Sequence, residues 1–139
     1  MIDFGISLPY QYNGKHVEEE KTIDFKGNIQ VASYEKMTFK HPTRKEDLFS
    51  LGNLMLSMLG ASVFHTIYND MRMSFDEKYD RIRDMKEGMT AKDYCTRKGG
   101  EKVLEYMEEV FKIKYSETPN YQKLKFCLIK QLLDLGYYP

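Results

Sequence analysis

Apolar positions recur at helical spacing through most of the chain after residue 42. Leu48, Leu51, Leu54, Met55, Met58 and Leu59 fall on helical repeats, with Leu56 on another face. This pattern predicts a helix buried on most sides. Thr43 and Glu46 have capping-box spacing at its start, Pro42 marks the boundary before it, and Gly60 ends it. A second capping box runs from Ser74 to Glu77. Phe75, Tyr79, Ile82 and Met85 make one face of the helix behind it, and Gly88 is its stop. Thr90 and Asp93 start a short third helix, and Gly99-Gly100 breaks the chain. Val103, Tyr106, Met107, Val110 and Phe111 line a fourth. Thr118 as N-cap, with Pro119 in the first turn, opens a fifth. That helix carries Tyr121, Leu124, Leu128, Leu132 and Leu135 and closes at Gly136. Residues 8–30 show no such period. They hold Pro9, Asn13-Gly14, the acidic run Glu18-Glu19-Glu20 and Gly27-Asn28, which predicts a long loop of the kind that is functional or mobile. The expected architecture is therefore mainly α, preceded by that loop, with no sheet.

Composition narrows the function classes. The chain has 139 residues, which suits one domain or part of one. Area scaling gives roughly 7,500 Å² of surface for a compact chain of this mass, against about 24,000 Å² unfolded. Lys+Arg and Asp+Glu both number 21, so the formal net charge is zero. This argues against nucleic-acid binding by bulk charge and against a polybasic membrane anchor. An apolar fraction of 42% with 14% aromatics excludes disorder. Cys95 and Cys127 make neither a disulfide scaffold nor a zinc site, and suit a reducing compartment, cytoplasmic or nuclear, as small buried residues. The opening Met1-Ile2-Asp3-Phe4-Gly5 has an acid where a signal peptide is apolar. The uncharged stretch from Leu48 to Asn69 is long enough to span a bilayer, but its Ser, Asn, Gly and His positions read as a buried helix and a following loop. His16, His41 and His65 lack metal-ligand spacing. The set Met55, Met58, Met71, Met73, Met85, Met89 and Met107 is expected to be mostly core filling.

The sharpest motif is Ile2-Asp3-Phe4-Gly5. Its weight comes from the segments that succeed it along the chain: Gly27-Asn28-Ile29-Gln30-Val31-Ala32-Ser33, then Thr43-Arg44-Lys45-Glu46-Asp47-Leu48-Phe49-Ser50-Leu51-Gly52, then Leu59-Gly60. Lys78-Tyr79-Asp80-Arg81-Ile82, Tyr106-Met107-Glu108 and Tyr115-Ser116-Glu117-Thr118-Pro119-Asn120-Tyr121-Gln122-Lys123-Leu124 complete the series. Over nearly its whole length this order resembles the C-terminal half of a protein kinase of the casein kinase I group, which includes the vaccinia-related kinases. The resemblance implies one partial kinase domain: residues 1–35 as the Asp-Phe-Gly motif and activation segment, residues 36–139 as the helical C-terminal lobe. It implies a parent that phosphorylates protein Ser/Thr with MgATP.

The resemblance also assigns roles. Asp3 matches the acid that holds Mg²⁺ against the ATP phosphates, a task that needs a hard oxygen ligand. Phe4 is expected to pack inward and Gly5 to let the chain turn. Gly27, Asn28, Ser33 and Glu35 belong to the end of the activation segment, with Asn28 where a threonine is usual. Asp47 matches a buried structural acid of the central helix; in this chain, without the catalytic loop it normally ties down, it is expected to be unsatisfied, solvated or re-paired. Arg44 and Lys78, with Lys45 beside them, match cations of a site for substrates already acidic or phosphorylated upstream. Thr66 replaces a glycine near that site, and Val63-Phe64 replaces a usual Pro-Trp. The chain holds no Gly-x-Gly-x-x-Gly and no His-Arg-Asp. It is therefore expected to be inactive alone, to contain no catalytic base and to bind neither Mg²⁺ nor ATP tightly. The competing expectation is a non-catalytic, pseudokinase-like helical module that binds a protein partner or itself through exposed surface.

Overall fold

The computed structural model describes residues 5–134 and 136–137. Among them are a hairpin, β1 (Gln11–Tyr12) and β2 (Lys15–His16), and seven helices. These are α1 (Tyr34–Met37), α2 (Arg44–Met58), α3 (His65–Tyr68), α4 (Phe75–Lys86), α5 (Ala91–Tyr94), α6 (Glu101–Lys112) and α7 (Tyr121–Asp134). The fold is mainly α, with a loop-rich segment ahead of the helices, as the periodicity predicts. It is consistent with the helical large lobe of a protein kinase.

Local chemistry explains the helix starts. The Lys45 N–H donates to Thr43 Oγ1 at 3.2 Å, and the Thr43 N–H donates to Glu46 Oε2 at 2.8 Å. At α4 the Ser74 N–H donates to Glu77 Oε2 at 2.7 Å and the Glu77 N–H returns to Ser74 Oγ at 3.3 Å. The Thr90 N–H donates to Asp93 Oδ2 at 2.7 Å before α5. Each exchange satisfies donors that a helix start leaves free. For α7 the capping oxygen is Asn120 Oδ1, which accepts from the Lys123 N–H at 3.0 Å, so Thr118 is not the cap and Pro119 precedes the first turn.

The core lies where α2, α5 and α6 meet, and α7 closes the far side of α6. Phe49, Phe64 and Tyr94 are buried in it, with Phe49 edge-on to Tyr94 at 5.2 Å and Phe111 packed alongside at 5.6 Å. Gly52 permits the close approach of α2 to α6: a Cβ there would collide with Met107 Sδ and lie 3.2 Å from the Tyr106 ring. Cys95 and Cys127 are both buried.

Several expectations need correction. α2 is not buried on most sides: Leu51, Leu54, Met58 and Leu59 are exposed, Met58 by 79%. Its apolar residues spread around the axis: the flank bearing Phe49, Gly52, Asn53 and Leu56 is buried, and Leu48 and Met55 beside it pack against the core only half-buried. Phe75 and Met85 lie outside the core although they share the period of Ile82. Met58, Met71 and Met85 are exposed, so the methionines fill the core only in part. The loop contains a small sheet: Asn13 and Gly14 both take positive φ, 50° and 76°, the tight turn that joins antiparallel strands. The short helices α1 and α3 are too brief to show a period in the sequence. Leu135 lies outside the described residues. No helix among the described residues is long and apolar enough to cross a membrane.

Candidate functional site

The loop of residues 5–33 is pinned along the helical body by specific contacts. The Arg44 guanidinium lies over the Tyr10 ring at 4.4 Å. The Tyr115 hydroxyl donates to the Glu18 carbonyl at 2.9 Å, and its ring meets His16 edge-on at 5.1 Å. Further on, the His41 N–H donates to the Glu20 carbonyl at 2.9 Å, and the Thr22 hydroxyl and N–H both reach the Phe39 carbonyl. Phe39 takes φ 63°, a left-handed conformation that turns its carbonyl toward the loop.

The end of the loop is built most tightly. Asn28 organises a turn: its Oδ1 accepts from the Gln30 N–H at 2.8 Å, and its carbonyl accepts from the Val31 and Ala32 N–H groups. Its Nδ2 reaches the Tyr68 hydroxyl at 3.3 Å. Buried Ser33 caps α1 by accepting from the Lys36 N–H at 3.0 Å. From below, Lys86 Nζ donates to the carbonyls of Ile29 at 2.7 Å, Gln30 at 3.3 Å and Ala32 at 2.5 Å, while Asn53 Nδ2 takes that of Val31 at 3.3 Å. Burial pushes the Lys86 ammonium down, to about 7. Glu35 is half-buried and shares a cavity of about 190 Å³ with Lys45, Glu46 and Tyr94. Burial, and then the Glu35 charge, push the Tyr94 hydroxyl up. Gly5 borders an open cleft of about 430 Å³ whose rim carries Lys21, Lys26, Lys36 and Lys40, with Asp24 among them.

The other predicted residues are placed as follows. Asp3 and Phe4 lie outside the described residues. Gly27 takes φ 149°, and a Cβ there would meet Lys36 Nζ at 3.4 Å. Asp47 is exposed at the edge of a groove shared with Arg44 and Lys36: it is not the buried acid that the resemblance matches, and of the outcomes expected for it in this chain it takes the solvated one. The buried acid of this turn is its neighbour Glu46, at 6% exposure. Arg44 Nη2 donates to the Ser116 and Glu117 carbonyls at 3.4 and 3.2 Å. Lys45 Nζ reaches the Phe111 carbonyl at 3.4 Å. Lys78 lies on α4, where its charge acts on Asp70, a carboxyl held well below its ordinary range chiefly by the Arg72 guanidinium. The three cations have no neighbour in common among these contacts. Sequence reasoning missed Lys86, Asn53 and Tyr68. Lys86 reads from sequence as an ordinary cation in the last turn of a helix.

No protein-family model matches the chain. It is 28% identical over 132 residues to a probable serine/threonine-protein kinase of Fowlpox virus (strain NVSL), covering 90% of this chain and 41% of that one. It is 26% identical over 141 residues to the serine/threonine-protein kinase VRK3 of Mus musculus, covering all of this chain and 31% of the relative. It is 27% identical over 139 residues to a probable casein kinase I homolog of Encephalitozoon cuniculi (strain GB-M1), with 98% and 44% covered. The chain thus spans less than half the length of each of these relatives. The similarities support a relationship to serine/threonine protein kinases.

Proposed function

We propose that these residues form the activation segment and helical large lobe of a casein kinase I-like serine/threonine kinase. The complete parent would use MgATP to phosphorylate protein Ser/Thr. The observation that carries this reading is the path of residues 5–33. They run from the Asp-Phe-Gly glycine along the helical body and end in a turn locked by side chains from α2 and α4. A kinase needs such a rigid shelf to hold a protein substrate in line with the transferred phosphoryl group, because catalysis there is mostly positioning and charge stabilisation. The lysine-rimmed cleft beside Gly5 suits anionic phosphates. Asp3, two residues before Gly5, would supply the carboxylate that holds Mg²⁺ in the parent. Bound MgATP would supply the phosphoryl group.

In this reading the chain alone transfers no phosphate. Incubation with labelled ATP, Mg²⁺ and casein should leave the casein unlabelled. Clear incorporation that Asp3→Ala abolishes would overturn the claim. The substrate preference for upstream acid or phosphate belongs to the same reading. Titration with a phosphoserine peptide should show weaker binding for both Arg44→Ala and Lys78→Ala. Equal binding by both variants would make these residues ordinary surface charge.

A second reading is a non-catalytic module that binds a protein partner or itself. It is favoured by the exposed Leu51, Leu54 and Met58 on α2, because contiguous exposed apolar surface marks interaction sites. Substituting the three by polar residues should abolish association under this reading, and association that survives the change would count against it.

A further inference from the structure

Lys86 is 2% exposed and is the last residue of α4. A lysine at that position usually serves the carbonyl end of its own helix from the surface. Here the side chain instead runs inward to another segment, and its Nζ meets the carbonyls of Ile29, Gln30 and Ala32. An ammonium has three N–H donors, so the three acceptors match its capacity. The Phe64 ring lies 4.7 Å from the same nitrogen. Among the described residues Lys86 makes no ion pair. The charged groups lining its cavity are Glu35 of α1 and Lys45 and Glu46 of α2, and no carboxylate is within bonding distance. Burying a cation without a counter-charge is costly, and an apolar side chain of the same length fills such a space at less expense. Holding the backbone offsets that cost. Asn53 supplies the fourth bond, to the Val31 carbonyl between those of Gln30 and Ala32. Four successive carbonyls, of residues 29–32, are thereby drawn inward to two buried side chains from two different helices. Asn28 stays on the surface, with Gln30 and Val31 half-buried behind it.

We propose that Lys86, assisted by Asn53, is the positioning residue for the turn of residues 28–33, fixing the backbone shape that this turn offers to a protein substrate. The word substrate rests on the kinase reading above; the latch itself does not. The group touches no reacting atom. It acts through the backbone it holds.

The test is amide hydrogen exchange on the full chain at pH 6.5, comparing wild type with Lys86→Met, which keeps the length and removes the donors. The Val31 and Ala32 amides, which close the turn on the Asn28 carbonyl, should exchange at least tenfold faster in the variant. Amides in the middle of α6 should keep their wild-type rates. Unchanged exchange at Val31 and Ala32 would overturn the proposal. Should Lys86→Met fail to fold, wild-type protein with labelled lysine decides the matter. The Lys86 Nζ resonance should be protected and coupled through hydrogen bonds to the carbonyl carbons of residues 29, 30 and 32. A Lys86 Nζ that exchanges like an exposed lysine and shows no such coupling would sink the idea. Either failure leaves the kinase reading standing, and loss of the kinase reading leaves the latch standing.

Discussion

Glu46 and Asp47 sit side by side in the first turn of α2, but only Glu46 is buried, and its carboxylate accepts from the Thr43 N–H and hydroxyl. Removing a charged acceptor of this kind costs more than changing a solvated one. Glu46→Gln should therefore lower stability by about 1–2 kcal/mol, whereas Asp47→Asn should stay within about 0.5 kcal/mol. Urea melts of the two variants check this, and the reverse order would contradict it. Lys86 gives a pH dependence with a definite sign. Burial lowers its pKa to about 7, from about 10.4 in an unfolded chain. Between pH 7 and pH 10 the unfolded chain then holds more protons, so stability rises with pH, by at most about 1.4 kcal/mol per unit. The three carbonyls favour the charged form and so narrow the window over which the two states differ in protonation. Unfolding midpoints across this window should climb for wild type relative to Lys86→Met, and parallel curves would contradict the assignment. The capping bonds of Glu46 were legible in the sequence, but the burial of Glu46 and of Lys86 was not. The period of α2 leaves both acids flanking an apolar stripe, and only the packing of the turn decides which one is enclosed. Lys86 looks like a dipole partner until the fold brings residues 29–32 beneath it.

At the scale of elements, the local signals were the readable ones. Thr43 to Glu46, Ser74 to Glu77 and Thr90 to Asp93 each announce a helix start, because the capping bonds are made within four residues. Thr43→Ala should cost about 1 kcal/mol, read as a lowered midpoint in thermal unfolding. No change would mean that Glu46 alone holds the start of α2. What depends on distant packing was not readable. The apolar pattern of α2 does not say which side faces the core, and the strands of the Asn13-Gly14 hairpin carry no alternating pattern. Gly52 looks like a helix weakness from sequence, yet it sets the approach of α2 to α6. Alanine there gains about 1 kcal/mol in helix propensity and loses about 1–3 kcal/mol to overpacking against Met107 and Tyr106. Gly52→Ala should be net destabilising, and Met107→Ala should relieve part of that loss in the double variant. Strict additivity of the two changes would argue against the contact.

For the whole molecule, the surface is 9451 Å², against the roughly 7,500 Å² of a compact chain of this mass. Part of the excess is apolar: Leu51, Leu54 and Met58 on α2 and Phe126, Leu132 and Leu133 on α7 are all exposed. Such surface should bind a hydrophobic dye or drive concentration-dependent association in sedimentation, and a clean monomer that binds no dye would contradict this. The central claim is that these residues supply the metal-holding acid and the substrate shelf of a serine/threonine kinase. It is tested most directly by joining residues 1–139 behind the N-terminal portion of the fowlpox virus relative and measuring phosphate transfer from labelled ATP to casein with Mg²⁺. The account predicts transfer that Asp3→Ala abolishes. A folded fusion that transfers nothing, or one whose transfer is indifferent to Asp3, would contradict it.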